Sequence, residues 1–143
     1  MYVLDTNHVS ILERRGPDAG PLLERLATVP TEQVCVTVIS YEEQFRGWVA
    51  AIAGAKISSV QVFQYERLLN QLENYCNLFV LPFDADSAAR FDELRKLHRR
   101  LSTPDLKIAA ITLVNDGTLV TQNERDFQNI AGLRVEDWTR TVP

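Results

Sequence analysis

Thr103-Pro-Asp-Leu-Lys-Ile-Ala-Ala-Ile-Thr-Leu-Val-Asn-Asp-Gly-Thr-Leu-Val-Thr-Gln-Asn-Glu-Arg-Asp-Phe127 reads as a buried helix, a tight stop, a short buried strand and an acidic loop. Thr103 suits an N-cap and Pro104 the first helical position, so the helix starts there and runs to about Asn115, where Gly117 offers a permissive exit. Leu106, Ile108, Ala109, Ala110, Ile111, Leu113 and Val114 leave it no wide polar face, the pattern of a helix covered by other elements. Leu119-Val120 fits a short strand. Asn123 and Asp126 follow just past its C-terminal end, the edge at which open α/β sheets bind ligands. Taken singly, Asp105 is a carboxylate set against a helix dipole, worth about 0.3–1 kcal/mol, and Asp126 is a loop acid.

The same alternation extends over the rest of the chain. Tyr2-Val-Leu4 is a strand ending in Asp5-Thr-Asn7, which sets Asp5 at the same edge as Asp126, with Thr6 or Asn7 capping a helix that starts near His8. After a break at Arg15-Gly-Pro-Asp18, a second helix covers about 19–28. Val34-Cys-Val-Thr-Val-Ile39 is a second buried strand, and Ser40 caps the next helix, with Glu43 at the spacing of a capping box. Gly54 and Lys56 mark a turn, and Val60, Phe63, Leu68, Leu69, Leu72, Tyr75 and Cys76 stripe a helix of about 20 residues. Residues 47–77 thus form a helical hairpin that either covers the sheet or docks a partner.

Leu78-Phe-Val-Leu81 is a third strand, and Asp84-Ala-Asp-Ser87 opens a helix with Phe91, Leu94, His98 and Leu101 on one face. Arg95, Lys96, Arg99 and Arg100 crowd the end of that helix, either as a solvated face or as a phosphate contact. His8 and His98 have no partner at zinc spacing, and His98 reads as a packed core residue. Arg134-Val-Glu136 is a short edge strand. Strands alternating with helices call for one α/β domain over residues 1–143, in three α/β/α layers around a parallel sheet of four or five strands.

A chain of 143 residues can bury roughly two-thirds of its unfolded surface without staples. Cys35 and Cys76 lie in apolar contexts and read as buried reduced thiols. No apolar run approaches the span of a bilayer, and Met1-Tyr-Val-Leu-Asp5 has no signal-peptide character, so a cytoplasmic protein with no membrane role is expected. The net charge of −4 argues against a diffuse nucleic-acid binder. It leaves room for a nucleic-acid enzyme whose acids gather around bound cations.

In this architecture Asp5, Glu43, Asp105 and Asp126 can converge at one end of the sheet. At about 5 Å and an effective dielectric near 20, each ionised pair would repel by roughly 3 kcal/mol. A hard cation bound by oxygens removes that repulsion, and Mg²⁺ or Mn²⁺ suits carboxylates with a few waters retained.

These residues resemble the PIN-domain nucleases, and within them the VapC-type toxins of toxin–antitoxin pairs. The resemblance lies in Leu4-Asp-Thr-Asn7, Ser40-Tyr-Glu-Glu-Gln-Phe-Arg-Gly47, Asp105-Leu-Lys-Ile-Ala-Ala110, Leu119-Val-Thr-Gln-Asn-Glu-Arg-Asp-Phe127 and Gly132-Leu-Arg-Val-Glu-Asp-Trp138, in order over nearly the whole chain. It implies that Asp5, Glu43, Asp105 and Asp126 are the acidic metal-site residues, with Glu43 preferred to Glu42 because Gly47 follows four residues later. It also implies that Thr6, Asn7, Ser40, Thr121 and Asn123 line or brace the site. Lys107 departs from the apolar residues the family often carries just after the third acid.

The implied activity is hydrolysis of RNA phosphodiester bonds with Mg²⁺ or Mn²⁺, by a toxin that pairs with a small antitoxin and forms a homodimer. Two other readings fit parts of the chain. A first-strand Asp can be the nucleophile of an aspartyl-phosphate phosphohydrolase, although that chemistry usually presents a second Asp where Asn7 stands. The fold could also serve as a non-catalytic binding module.

Overall fold

The computed structural model describes residues 1–141. Five strands, β1 (Tyr2–Leu4), β2 (Val34–Thr37), β3 (Phe79–Leu81), β4 (Thr118–Val120) and β5 (Arg134–Glu136), form one sheet in the order β3-β2-β1-β4-β5. Every pairing is parallel, with Tyr2 opposite both Val34 and Thr118. The helices are α1 (Thr6–Arg14), α2 (Ala19–Leu26), α3 (Val38–Gly54), α4 (Ser58–Cys76), α5 (Ala85–Leu97), α6 (Thr103–Val114) and the short α7 (Glu124–Phe127).

Successive strand residues face opposite sides, and this alternation divides the core in two. Val3, Cys35 and Leu119 pack against α5 and α6 through Leu94, Leu106, Ile108 and Ile111. Leu4, Val36 and Val120 pack against α1, α2 and α4 through Val9, Leu22 and Tyr75. The result is the expected three-layer α/β/α arrangement. The chain runs outward from β1 first through β2 and β3, then through β4 and β5, so the strand order switches direction beside β1. Ligands of open α/β sheets bind outside the strand C-termini at such a switch. Among the described residues, no helix is long and apolar enough to cross a membrane.

Most differences from expectation lie at helix ends. Asp5, rather than Thr6 or Asn7, caps α1. The second strand stops at Thr37, whose side chain accepts from the Ser40 N–H at 3.2 Å, so α3 begins before Ser40 and no Ser40–Glu43 capping box forms. A hydroxyl three residues upstream captures the same free N–H. Ser102, not Thr103, caps α6. At the other end of α6 the left-handed residue is Asp116 (φ 50), while the Gly117 N–H bonds to Thr112 O at 2.9 Å and the Asp116 N–H to Leu113 O at 3.1 Å, a Schellman closure. Gly117 serves close approach instead, since an added Cβ would meet Val3 at 3.2 Å.

The helical hairpin also differs in extent and burial. It starts at Val38 and ends at Cys76, and α3 and α4 pack on one another. Much of the expected apolar stripe on α4 faces solvent, with Val60, Phe63, Leu69 and Leu72 exposed. Cys76 is exposed as well, while Cys35 is buried. α5 ends at Leu97, leaving His98 half-buried at its cap. If Thr37 starts α3, Thr37→Ala should lower unfolding free energy by about 0.5–2 kcal/mol in urea titrations. Ser40→Ala should leave the α3 start unchanged in amide-exchange protection.

Candidate active site

Asp5 follows β1 directly, and its N–H extends the ladder to Val120 O at 3.0 Å. Its carboxylate is nearly buried, and Oδ1 accepts from the His8 N–H at 2.8 Å and from the His8 ring at Nδ1, 2.9 Å away. Thr6, one residue on, donates to Glu43 Oε1 at 2.7 Å, and its oxygen lies 2.9 Å from Ser40 Oγ. Because Thr6 spends its hydrogen on Glu43, Ser40 is the donor in that second bond. Thr6 and Ser40 therefore brace Glu43 from the starts of two helices. Glu42 is ion-paired with Arg46 at 2.7 Å, which leaves Glu43 as the acid bonded across to α1.

Asp105 is half-buried in the first turn of α6, where its N–H bonds to the capping Ser102. Asp126 lies exposed on α7 beyond β4. Thr121 is fully buried at the end of β4, and its hydroxyl accepts from the Asn123 N–H at 3.1 Å, which turns the chain into α7. Asn123 and Asn7 are exposed and contribute no side-chain cap or cross-bond among the described residues. Lys107 points elsewhere: its ammonium lies 5.3 Å from the Phe83 ring and 5.7 Å from Phe91.

Burial pushes the Glu43 carboxyl above its ordinary range; the Thr6 hydrogen bond opposes this, and the charges of Asp105, Asp5 and Glu42 add to the rise. Burial likewise raises Asp105, with Ser102 opposing and Asp5 and Asp126 adding. The charge of Asp5 thus reaches both Glu43 and Asp105, and that of Asp126 reaches Asp105. The four acids do not close on a single point, because among the described residues no three His, Cys, Asp or Glu side chains are placed to ligate one ion together. The donor set is all oxygen and short of positive charge, so a hard divalent cation fits its chemistry.

A cleft of about 680 Å³ opens beside the acids. Asp105 and Asp126 line it together with Lys96, His98, Arg99, Arg100 and Arg125, whereas Asp5 and Glu43 do not. Two residues carry no signal as site residues in the sequence, Arg125 in this cleft and His8 behind Asp5. Arg125 looked like part of an acidic loop, and His8 looked idle for want of a zinc partner. What the sequence does show of His8 is its place three residues after Asp5, the spacing at which the first turn of a helix meets its cap.

Residues 2–133 match the family model for the PIN domain, and the chain belongs to that family. Among its relatives is the tRNA(fMet)-specific endonuclease VapC of Salmonella typhimurium (strain LT2), 28% identical over 141 residues that cover 96% of this chain and 97% of the relative. The fold is similar to VapBC-1 from nontypeable Haemophilus influenzae, with a TM-score of 0.73 and 26% identity over 97% of this chain and 98% of the other. It is also similar to a toxin–antitoxin complex from Klebsiella pneumoniae, with a TM-score of 0.71 and 22% identity over 96% of this chain and 98% of that one.

A carboxyl whose pKa is raised on folding holds more protons in the native than in the unfolded state, so its contribution to stability falls as pH rises through the raised value. For Asp105 that window opens at its ordinary value of 3.8 and extends upward. In EDTA at pH 7, Asp105→Asn should therefore raise the melting temperature. The gain should shrink to nothing as the pH is lowered to about 4. Calorimetric scans across that range check both statements.

Proposed function

We propose that this chain is a metal-dependent endoribonuclease that hydrolyses RNA phosphodiester bonds, the toxin of a toxin–antitoxin pair. The observation that carries this reading is the placement of Asp5 after β1, Glu43 bonded across to Thr6, Asp105 in the first turn of α6 and Asp126 on α7 beyond β4, next to a cleft lined by cations. The name of the Salmonella relative, an endonuclease, and the toxin–antitoxin complex of the same fold support it.

Asp5, Glu43, Asp105 and Asp126 would hold Mg²⁺ or Mn²⁺, with Thr6 and Ser40 fixing the Glu43 carboxylate and Thr121 fixing the turn that carries Asn123 and Asp126. When bound, the cation supplies an activated water and neutralises charge on the leaving oxygen. Lys96, Arg99, Arg100 and Arg125 hold the flanking phosphates in the cleft. No side chain of this set needs to act as a nucleophile.

The partner reading follows from surface composition. Phe63, Leu69 and Phe79 are 54%, 55% and 61% exposed, and a groove of about 810 Å³ runs between α1 and the α3–α4 pair. Exposed apolar area of this kind marks protein contacts. A small antitoxin and a second copy of the chain, as a homodimer, would cover it.

Asp5→Asn and Asp126→Asn should reduce cleavage of a mixed RNA pool to the level of the EDTA-treated wild type. Asn also caps helices well, so the fold of Asp5→Asn should survive by circular dichroism. Wild-type rates in both variants would end the assignment. Leu69→Asp with Leu72→Asp should abolish co-purification with a coexpressed antitoxin while leaving the melting temperature within about 2 °C, since both positions are exposed.

A further inference from the structure

We propose that His8 is a positioning residue that fixes which oxygen of Asp5 faces the metal site. The inference rests on the reading of Asp5 as a metal-site carboxylate and goes beyond it to a residue that no acid pattern includes.

His8 is fully buried, and its backbone N–H and its ring Nδ1 both bond to the same atom. Its backbone N–H donates to Asp5 Oδ1 at 2.8 Å, which is all that capping α1 requires. The ring adds a second bond to that oxygen, at 2.9 Å from Nδ1. A carboxylate oxygen already accepting one hydrogen bond is an acceptor here too, so Nδ1 carries the hydrogen. Two donors at right spacing occupy Oδ1 and hold the carboxylate against rotation. Oδ2 accepts no hydrogen bond among the described residues, and the Asp5 side chain keeps 11% of its surface open. Oδ2 is thus the oxygen left for a cation.

The other ring nitrogen shows that packing alone does not account for this residue. Nε2 is buried without a hydrogen-bond partner among the described residues. An unpaired buried polar atom costs free energy that an aliphatic side chain in the same space would not incur. The ring tolerates that cost at the one place where its other nitrogen reaches a site carboxylate. Groups behind a ligating side chain commonly set its orientation and its affinity for metal.

The test is calorimetric titration of Mn²⁺ into the full chain, with Asp5→Asn as the binding-site control. His8→Leu removes the ring donor and should weaken Mn²⁺ binding by about 10–100-fold. His8→Asn can place an amide N–H where Nδ1 stood and should remain within about threefold of wild type. A purely structural role predicts instead that both variants lose stability and, where folded, bind Mn²⁺ as wild type does. Should His8→Leu fail to fold, nitrogen-15 spectra of the wild-type histidine rings decide: the hydrogen should sit on Nδ1 of His8, and its resonance should move on saturation with Mg²⁺. Unchanged Mn²⁺ affinity in His8→Leu, affinity in His8→Asn as poor as in His8→Leu, a hydrogen on Nε2 only, or a His8 resonance indifferent to Mg²⁺ would each overturn the inference alone. A folded wild type that binds no Mn²⁺ overturns the metal-site reading and this inference with it.

Discussion

Asp5 is gripped by the sheet and by a helix at once, and the rest of the strand edge is placed relative to it. Its N–H bonds to Val120 O, one step past the paired strands, while its carboxylate closes the first turn of α1. Both anchors sit at the end of β1, the central strand, which has β2 on one side and β4 on the other. The flanking strands then deliver Thr37 and α3 on one side and Thr121 and α7 on the other. A one-residue slip of β1 would send Val3 and Leu4 to each other's core and carry Asp5 off the edge. The sorting of strand side chains between two hydrophobic cores thereby fixes the location of a polar site.

Gathering acids at that edge has an electrostatic cost, and the structure offsets part of it. Asp5 and Asp105 sit at helix N-termini, where the helix dipole favours negative charge. Thr6 and Ser102 give Glu43 and Asp105 hydrogen bonds that favour ionisation. Both carboxyls nonetheless stay raised, because burial and their neighbours' charges outweigh those bonds. The imbalance is why the constellation makes little sense as a device for stability. Salt bridges elsewhere, such as Arg46–Glu42 and Arg134–Asp116, lie at the surface and give none of these acids a cationic partner.

Much of this was legible in the sequence because it depends on periodicity. The short β-branched or apolar runs at Tyr2–Leu4, Val34–Ile39 and Leu119–Val120 read as strands of a sheet interior, although the second gives way to α3 after Thr37, and α6 is apolar on nearly every side because the sheet and α5 both cover it. Helix starts were harder, since hydroxyl residues stand in clusters and propensity cannot say which one the chain geometry turns toward the free N–H. Thr37 therefore displaced Ser40, and Ser102 displaced Thr103. Released from a capping box, Glu43 could instead bond to Thr6 on another helix, a contact between residues far apart in sequence. The stripe on α4 was readable as apolar, but periodicity does not tell whether its cover comes from this chain or from another. Lys107 was visible as an oddity near the third acid, and only packing shows that it rests on Phe83 and Phe91.

The connection from α5 to α6 ties the two signs of charge in the cleft together. Arg95 donates to Leu101 O at 3.1 Å and to Thr103 Oγ1 at 2.8 Å, so the cation-rich end of α5 is strapped to the first turn of α6. Asp105 stands in that turn, and Lys96, Arg99 and Arg100 stand on the segment being strapped. The strap also stacks its guanidinium 5.5 Å from the Phe91 ring, within the same helix pair whose apolar faces make up one core. The segment that carries the cations is thereby tied to the turn that carries the carboxylate. If the cleft receives a phosphodiester, the groups that would grip its flanking phosphates stand on the segment tied to the turn of Asp105. Loosening Arg95 would disturb registration between the two without removing a charge from either wall of the cleft.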